Sequence, residues 1–197
     1  MKNFKLLLLA LLAVVGISSC MKNEYEQPDY EAEQRRIDST LKAQESILRE
    51  YAHTHFENPV EDTTWGIWYD MIEESTDTTF EYVSYQNSWI PVIANVKYTG
   101  RLVEDGEIFE EKVDTPTQFV INGTTGGVIY AWLVAFYPQS SSANSFSGLT
   151  PEGLKPGSKI RFVAPSPYCY DNQSNEKIPA NSPLDFTIEV TEIRNSN

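Results

Sequence analysis

Leu184, Phe186, Ile188 and Val190 alternate with Asp185, Thr187, Glu189 and Thr191, and that period of two specifies a strand buried on one face. Ile178 and Pro179 hold the preceding loop extended. Such a strand needs neighbours. Residues 66–74, 91–103, 117–121 and 158–164 are rich in β-branched and aromatic side chains, and with residues 184–193 they make a set of five or six strands. Within this part only residues 127–137 read as a helix. One short helix across a curved antiparallel sheet is an α+β architecture.

The N-terminus points to export. Lys2 and Lys5 precede an apolar run, Leu6 to Val15, too short to span a bilayer but suited to the core of a signal sequence. Gly16-Ile17-Ser18-Ser19-Cys20 follows, which resembles a bacterial lipoprotein cleavage box; the alternative is an ordinary signal peptide with an incidental cysteine. The box makes residues 1–19 a signal peptide and Cys20 the lipidated residue, so that acyl chains hold the protein at the membrane without a transmembrane helix. The expected location is the cell envelope, at the outer membrane. Only Cys169 then remains, and no intramolecular disulfide forms. Loss of Lys2 and Lys5 takes the formal charge from -13 to -15, which argues against nucleic acid as a partner.

Residues 20–29 read as a polar tether and residues 30–57 as a helical segment ahead of a domain over residues 58–197. Ile37, Leu41, Ile47, Leu48 and Tyr51 recur near helical spacing among charged residues. That narrow stripe suits packing on the domain, pairing with a second copy, or projecting the domain from the membrane; a monomer is expected. The strand set and its helix make a core without this segment, so the domain is expected to fold alone. His53 and His55 have no third or fourth ligand at suitable spacing, and a surface position at a helix C-terminus accounts for them. No metal is assigned.

Four blocks in order resemble the FKBP-type peptidyl-prolyl cis/trans isomerases: Val96-Lys97-Tyr98-Thr99-Gly100-Arg101-Leu102 with Asp105-Gly106-Glu107-Ile108-Phe109; Val128-Ile129-Tyr130-Ala131-Trp132; Pro165-Ser166-Pro167-Tyr168-Cys169-Tyr170; and Ile178 to Ile193. The resemblance implies an FKBP-like curved antiparallel sheet wrapped over one short helix, and an isomerase acting on proline-containing polypeptide segments without cofactor. It makes Trp132 the pocket floor and Tyr98, Phe109, Phe119 and Phe186 its walls. Val128 and Ile129 form the rim, the Ile129 N–H facing a ligand carbonyl; Tyr170 supplies a hydroxyl, and Ile178 closes the far side. Glu110 stands where the family commonly has aspartate, with Lys112 the nearest base in place of the family's arginine, and Asp171 replaces the usual glycine. Residues 137–152 form an insertion after the helix, placed to shape, cover or obstruct the pocket.

Chemistry of this kind needs no nucleophile. Amide resonance sets a barrier of about 18–20 kcal/mol to rotation. An apolar pocket favours the less charge-separated twisted amide, and hydrogen bonds to the turning carbonyl add to that differential binding. Two readings stand at this point: a lipid-anchored isomerase assisting folding of exported proteins, or a non-catalytic lipoprotein of the same fold that binds a polypeptide or envelope component.

Overall fold

The computed structural model describes residues 29–123, 127–139 and 146–196. The expected signal peptide, Cys20 and most of the expected tether lie outside the described residues, as do residues 140–145 of the insertion. The compact unit that carries everything below runs from Gln34 to Asn197. Among the described residues no helix is long and apolar enough to cross a membrane.

Helix α1 spans Tyr30–His55. Short strands β1 (Val60–Asp62) and β2 (Ile67–Glu73) follow, then a two-stranded hairpin, β3 (Ser84–Tyr85) and β4 (Ser88–Trp89). Its two-residue turn, Gln86-Asn87, has φ of 49° and 59°. Both residues at positive φ match the strand twist that such hairpins require. Strand β5 (Val92–Leu102), strand β6 (Ile108–Ile121), helix α2 (Tyr130–Phe136), strand β7 (Lys159–Ala164) and strand β8 (Leu184–Asn195) complete the chain. Apart from the hairpin, the strands form one six-stranded sheet in the order β1-β2-β7-β8-β5-β6, antiparallel at every pairing.

The expected strand at 117–121 is the end of β6, which begins at Ile108. Val96 pairs with Thr117 but Tyr98 pairs with Lys112, so residues 113–116 bulge out of the ladder. Pro116 sits in that bulge, where no ladder hydrogen bond is asked of it. The Glu110-Glu111-Lys112 run hides the first half of this exposed edge strand in the sequence.

Successive residues of a strand face opposite sides of a sheet, and here both sides are covered. Val92, Ala94, Val96, Tyr98 and Leu102 of β5, Phe162 and Ala164 of β7, and Phe186, Ile188 and Val190 of β8 pack with α2 in the larger core. In α2 every residue from Ala131 to Phe136 is buried. On the other side, Trp68 of β2 and Val163 of β7 join Val103 in a second core with Leu48, Ala52 and Phe56, contributed by α1 and the residue just after it.

That second core changes two expectations. Ile47, counted on the apolar stripe of the helix, is 47% exposed. The buried positions are Gln44, Leu48 and Ala52, spaced by four and therefore on one face. And Asp185, read as the solvent side of β8, is fully buried under α1, its carboxylate held by Arg161 and by the Tyr51 hydroxyl at 2.9 Å.

Helix α1 thus completes the domain rather than merely preceding it. Leu48→Ala should cost about 2–5 kcal/mol, as for a buried leucine elsewhere, and removal of residues up to 57 should cost more, reversing the expectation that the domain is indifferent to the helix. Urea unfolding of the two variants against the parent checks this; midpoints equal to the parent's would show that α1 contributes no core.

Candidate active site

Helix α2 lies across the sheet and presents Trp132 to the inner-face side chains of β5, β6 and β8. The indole stands edge-on to Tyr98 at a ring-centroid distance of 5.2 Å, to Phe119 at 5.1 Å and to Phe186 at 5.8 Å. Tyr98 and Phe119 meet at 5.6 Å, and Phe109 and Phe186 at 5.8 Å, also edge to face. That is the arrangement aromatic quadrupoles favour. Above the indole is a cavity of about 240 Å³ lined by Tyr98, Phe109, Glu110, Phe119, Gly127, Val128, Ile129, Trp132, Tyr170 and Phe186. It is smaller than the sites of drug-sized ligands, about 300–1,000 Å³, and suits a single compact ring.

Every side chain expected at the pocket lines this cavity except Ile178. Ile178 is 3% exposed and lines the adjoining hollow with Phe109, Glu110, Lys112 and Tyr170, so it stands behind the pocket wall. Its place is set by Asn175, whose side-chain oxygen accepts the N–H groups of Lys177 and Ile178, each at 2.9 Å, an Asx turn. The same turn brings in a residue the sequence did not single out. Lys177 lines the adjoining hollow and donates from Nζ to the Phe109 carbonyl at 3.0 Å. Nothing local in a polar loop signals that contact.

Two hydroxyls reach the site. Tyr98, on β5, is pushed well above the ordinary tyrosine value, first by burial and then by the Glu110 carboxylate beside it. Tyr170, 38% exposed, stands at the mouth, and burial of its ring, with Glu110 nearby, also raises its pKa. Both remain neutral hydroxyls through the physiological range. The Trp132 indole N–H is buried and has no partner among the described residues, so a donor is available at the floor. Asp171, in the glycine position, keeps the left-handed backbone at φ 52°, a region aspartate tolerates better than most residues.

The described parts of the insertion do not line the cavity. Gly148 N–H donates to the Pro138 carbonyl at 3.1 Å, Leu149 N–H to that of Val134 at 2.9 Å, and Phe146 packs on Trp65 and Tyr130. The donors of the two ends are tied to the C-terminal side of α2.

Phe109 owes its position to Gly100. A Cβ on Gly100 would come within 2.4 Å of the Phe109 ring, so only glycine on β5 lets that wall stand where it does. Gly100→Ala should displace the ring from the cavity and weaken binding of a prolyl peptide by at least about tenfold, the equivalent of 1.4 kcal/mol, with a folded domain remaining. Peptide titration by calorimetry reads the change; unaltered affinity would mean that Phe109 is not a wall of the ligand site.

Comparison with known proteins fits this geometry. The model of the FKBP-type peptidyl-prolyl cis-trans isomerase family matches residues 92–191. FK506-binding protein 3 of Kluyveromyces lactis is 28% identical over 99 residues, 50% of this chain and 20% of that protein; the chain thus spans about a fifth of its length. Among solved structures, a peptidyl-prolyl cis-trans isomerase of Pseudomonas syringae superposes with a TM-score of 0.50 at 24% identity, covering 79% of this chain and 94% of that one. FkpA of Escherichia coli gives a TM-score of 0.54 at 20% identity, covering 100% of this chain and 74% of that one. These likenesses place the fold.

Proposed function

The chain belongs to the FKBP-type peptidyl-prolyl cis-trans isomerase family, and from that premise we propose that it rotates X-Pro bonds in polypeptides exported to the cell envelope, held there by lipid on Cys20. The observation that carries the catalytic part is the cavity itself, ringed by Tyr98, Phe109, Phe119, Trp132 and Phe186 with the Tyr170 hydroxyl at its mouth.

The prolyl ring enters against Trp132. Its removal from water favours the twisted amide, which carries less charge separation than the planar one. Val128 and Ile129 form the rim, where the Ile129 N–H meets the carbonyl that follows the proline. Tyr170 donates to a carbonyl of the same segment, and the bond matters most when the amide is half turned, which makes it selective for the transition state. Lowering the barrier by roughly 5–7 kcal/mol would accelerate rotation by about 10⁴ to 10⁵. Glu110 lines the cavity with Tyr98 and takes no proton from the substrate.

The N-terminal features support anchoring. A short apolar run flanked by lysines and closed by small residues before Cys20 suits a lipoprotein signal, and substrates at the envelope would be newly exported chains whose proline isomers limit folding.

Tyr170→Phe keeps the ring and should leave folding intact while isomerisation of a prolyl tetrapeptide falls about threefold to tenfold, the worth of one neutral hydrogen bond. Trp132→Leu should lower activity further with less damage than Trp132→Ala, which should cost about 3–5 kcal/mol of stability. A folded wild type with no catalysis above background would leave the non-catalytic binding module as the reading.

Anchoring has its own check. Cys20→Ser should move the protein from the membrane fraction to the soluble one; a variant still extracted only by detergent would overturn lipidation at Cys20.

A further inference from the structure

Tyr170 reaches the site, and Ile178 stands behind its wall, from one loop, residues 165–181, whose regular structure is a single turn of 3-10 helix, Ser166–Tyr168. A loop of this length fixes a side chain only if its backbone groups are tied down. Two of the ties run to α1, the helix that covers the other face of the sheet.

Gln44, 6% exposed, spans both ends of the loop. Its Oε1 accepts the Ser166 N–H at 2.8 Å, and its amide nitrogen donates to Ser166 Oγ at 3.0 Å and to the Asn181 carbonyl at 2.9 Å. Two helical turns earlier, Arg36 forks onto the Asp171 carboxylate, Nη1 to Oδ1 at 2.9 Å and Nη2 to Oδ2. Asp171 directly follows Tyr170. Its N–H donates to the Ser166 carbonyl at 2.8 Å, and its own carbonyl accepts the Asn181 N–H at 2.7 Å. Asp171 and Asn181 both have positive φ, 52° and 60°, a region that aspartate and asparagine enter more readily than most residues, and their hydrogen bonds fix it. Here α1 grips both residues.

We propose that Arg36 and Gln44 are positioning residues for the prolyl pocket: through Asp171, Ser166 and Asn181 they set where the Tyr170 hydroxyl stands, so that α1 controls the mouth of a site it does not touch. The kinetic consequence rests on the isomerase reading; the structural consequence does not.

The experiment pairs amide hydrogen exchange with kinetics in the full chain, using Arg36→Ala, Arg36→Lys and Gln44→Ala. Exchange at Asp171 and Asn181 should quicken by at least about tenfold in the alanine variants while α2 and β5 amides keep their protection, a local opening rather than global loss of stability. With a prolyl peptide, kcat should fall about threefold to tenfold with KM changed less than twofold, because the lost bond acts in the transition state. Arg36→Lys, which keeps the charge but not the fork, should recover part of the rate. Tyr170→Phe should lose most of its effect in the Arg36→Ala background, since a hydroxyl already out of place has nothing left to lose. If Gln44→Ala does not fold, the half-exposed Arg36 pair carries the test.

Unchanged exchange at Asp171 and Asn181, or strictly additive effects of Arg36→Ala and Tyr170→Phe, would overturn the proposal. A wild type without catalysis would overturn the isomerase reading alone, and the exchange result would still decide whether α1 holds the loop.

Discussion

Strand β8 begins with three buried residues, Leu184, Asp185 and Phe186, so both of its faces are covered there, and most of the molecule follows from how that is done. Phe186 and Ile188 point to α2 and build the pocket side; Asp185 points the other way and is fully buried beneath α1. A carboxylate in that position is tolerable only with full pairing. Arg161 supplies it from the neighbouring strand, Nε at 3.1 and 3.2 Å and Nη2 at 2.7 Å, and Tyr51 adds its hydroxyl from α1. The guanidinium also lies over the Phe56 ring at 5.0 Å and donates to the His55 carbonyl. One ion pair therefore joins two strands to the end of the helix, and an unpaired charge left there would cost about 3–5 kcal/mol. Burial, then Asp185, pushes the Tyr51 pKa up to about 12. The stabilisation from this hydroxyl is complete below the ordinary tyrosine value and lost as pH climbs from about 10 to about 12.

The pocket side was legible because its residues repeat simple periods. Tyr98 and Phe186 fall on the inward phase of alternating strands, Trp132 sits in a short apolar helix, and the family blocks gave their order. The α1 side was not, because a period of two assigns polar residues to water and knows nothing of a helix that later covers them. Asp185 was misplaced for that reason. On α1 the face that packs or grips is Arg36 and, eight residues on, Gln44, Leu48 and Ala52 in steps of four, mostly polar or small, whereas the eye is drawn to Ile37 and Ile47. The hairpin at Gln86-Asn87 escaped notice because it lacks the glycine that usually marks such turns.

Rigid walls and a held mouth divide the labour of the site. The floor and walls come from a helix and strands whose polar groups are satisfied within the sheet, so Trp132, Tyr98 and Phe186 stand in place by packing alone. The mouth comes from a loop, where packing is thin and hydrogen bonds decide the geometry. Asp171 in place of glycine reads in the sequence as a defect of the turn. In the structure the same carboxylate is the attachment for Arg36, so the departure from the family pattern and the added helix explain each other.

A catalyst without nucleophile, metal or proton transfer depends on placing few donors well, since each hydrogen bond contributes only if it strengthens as the amide turns. An error of an ångström in a hydroxyl is therefore costly. The described parts of the insertion do not line the cavity and leave that geometry to α1 and the loop. Helix α1 is then more than a spacer: its docking on the sheet and its grip on the loop use one face, so the interaction that stabilises the fold also orders the site.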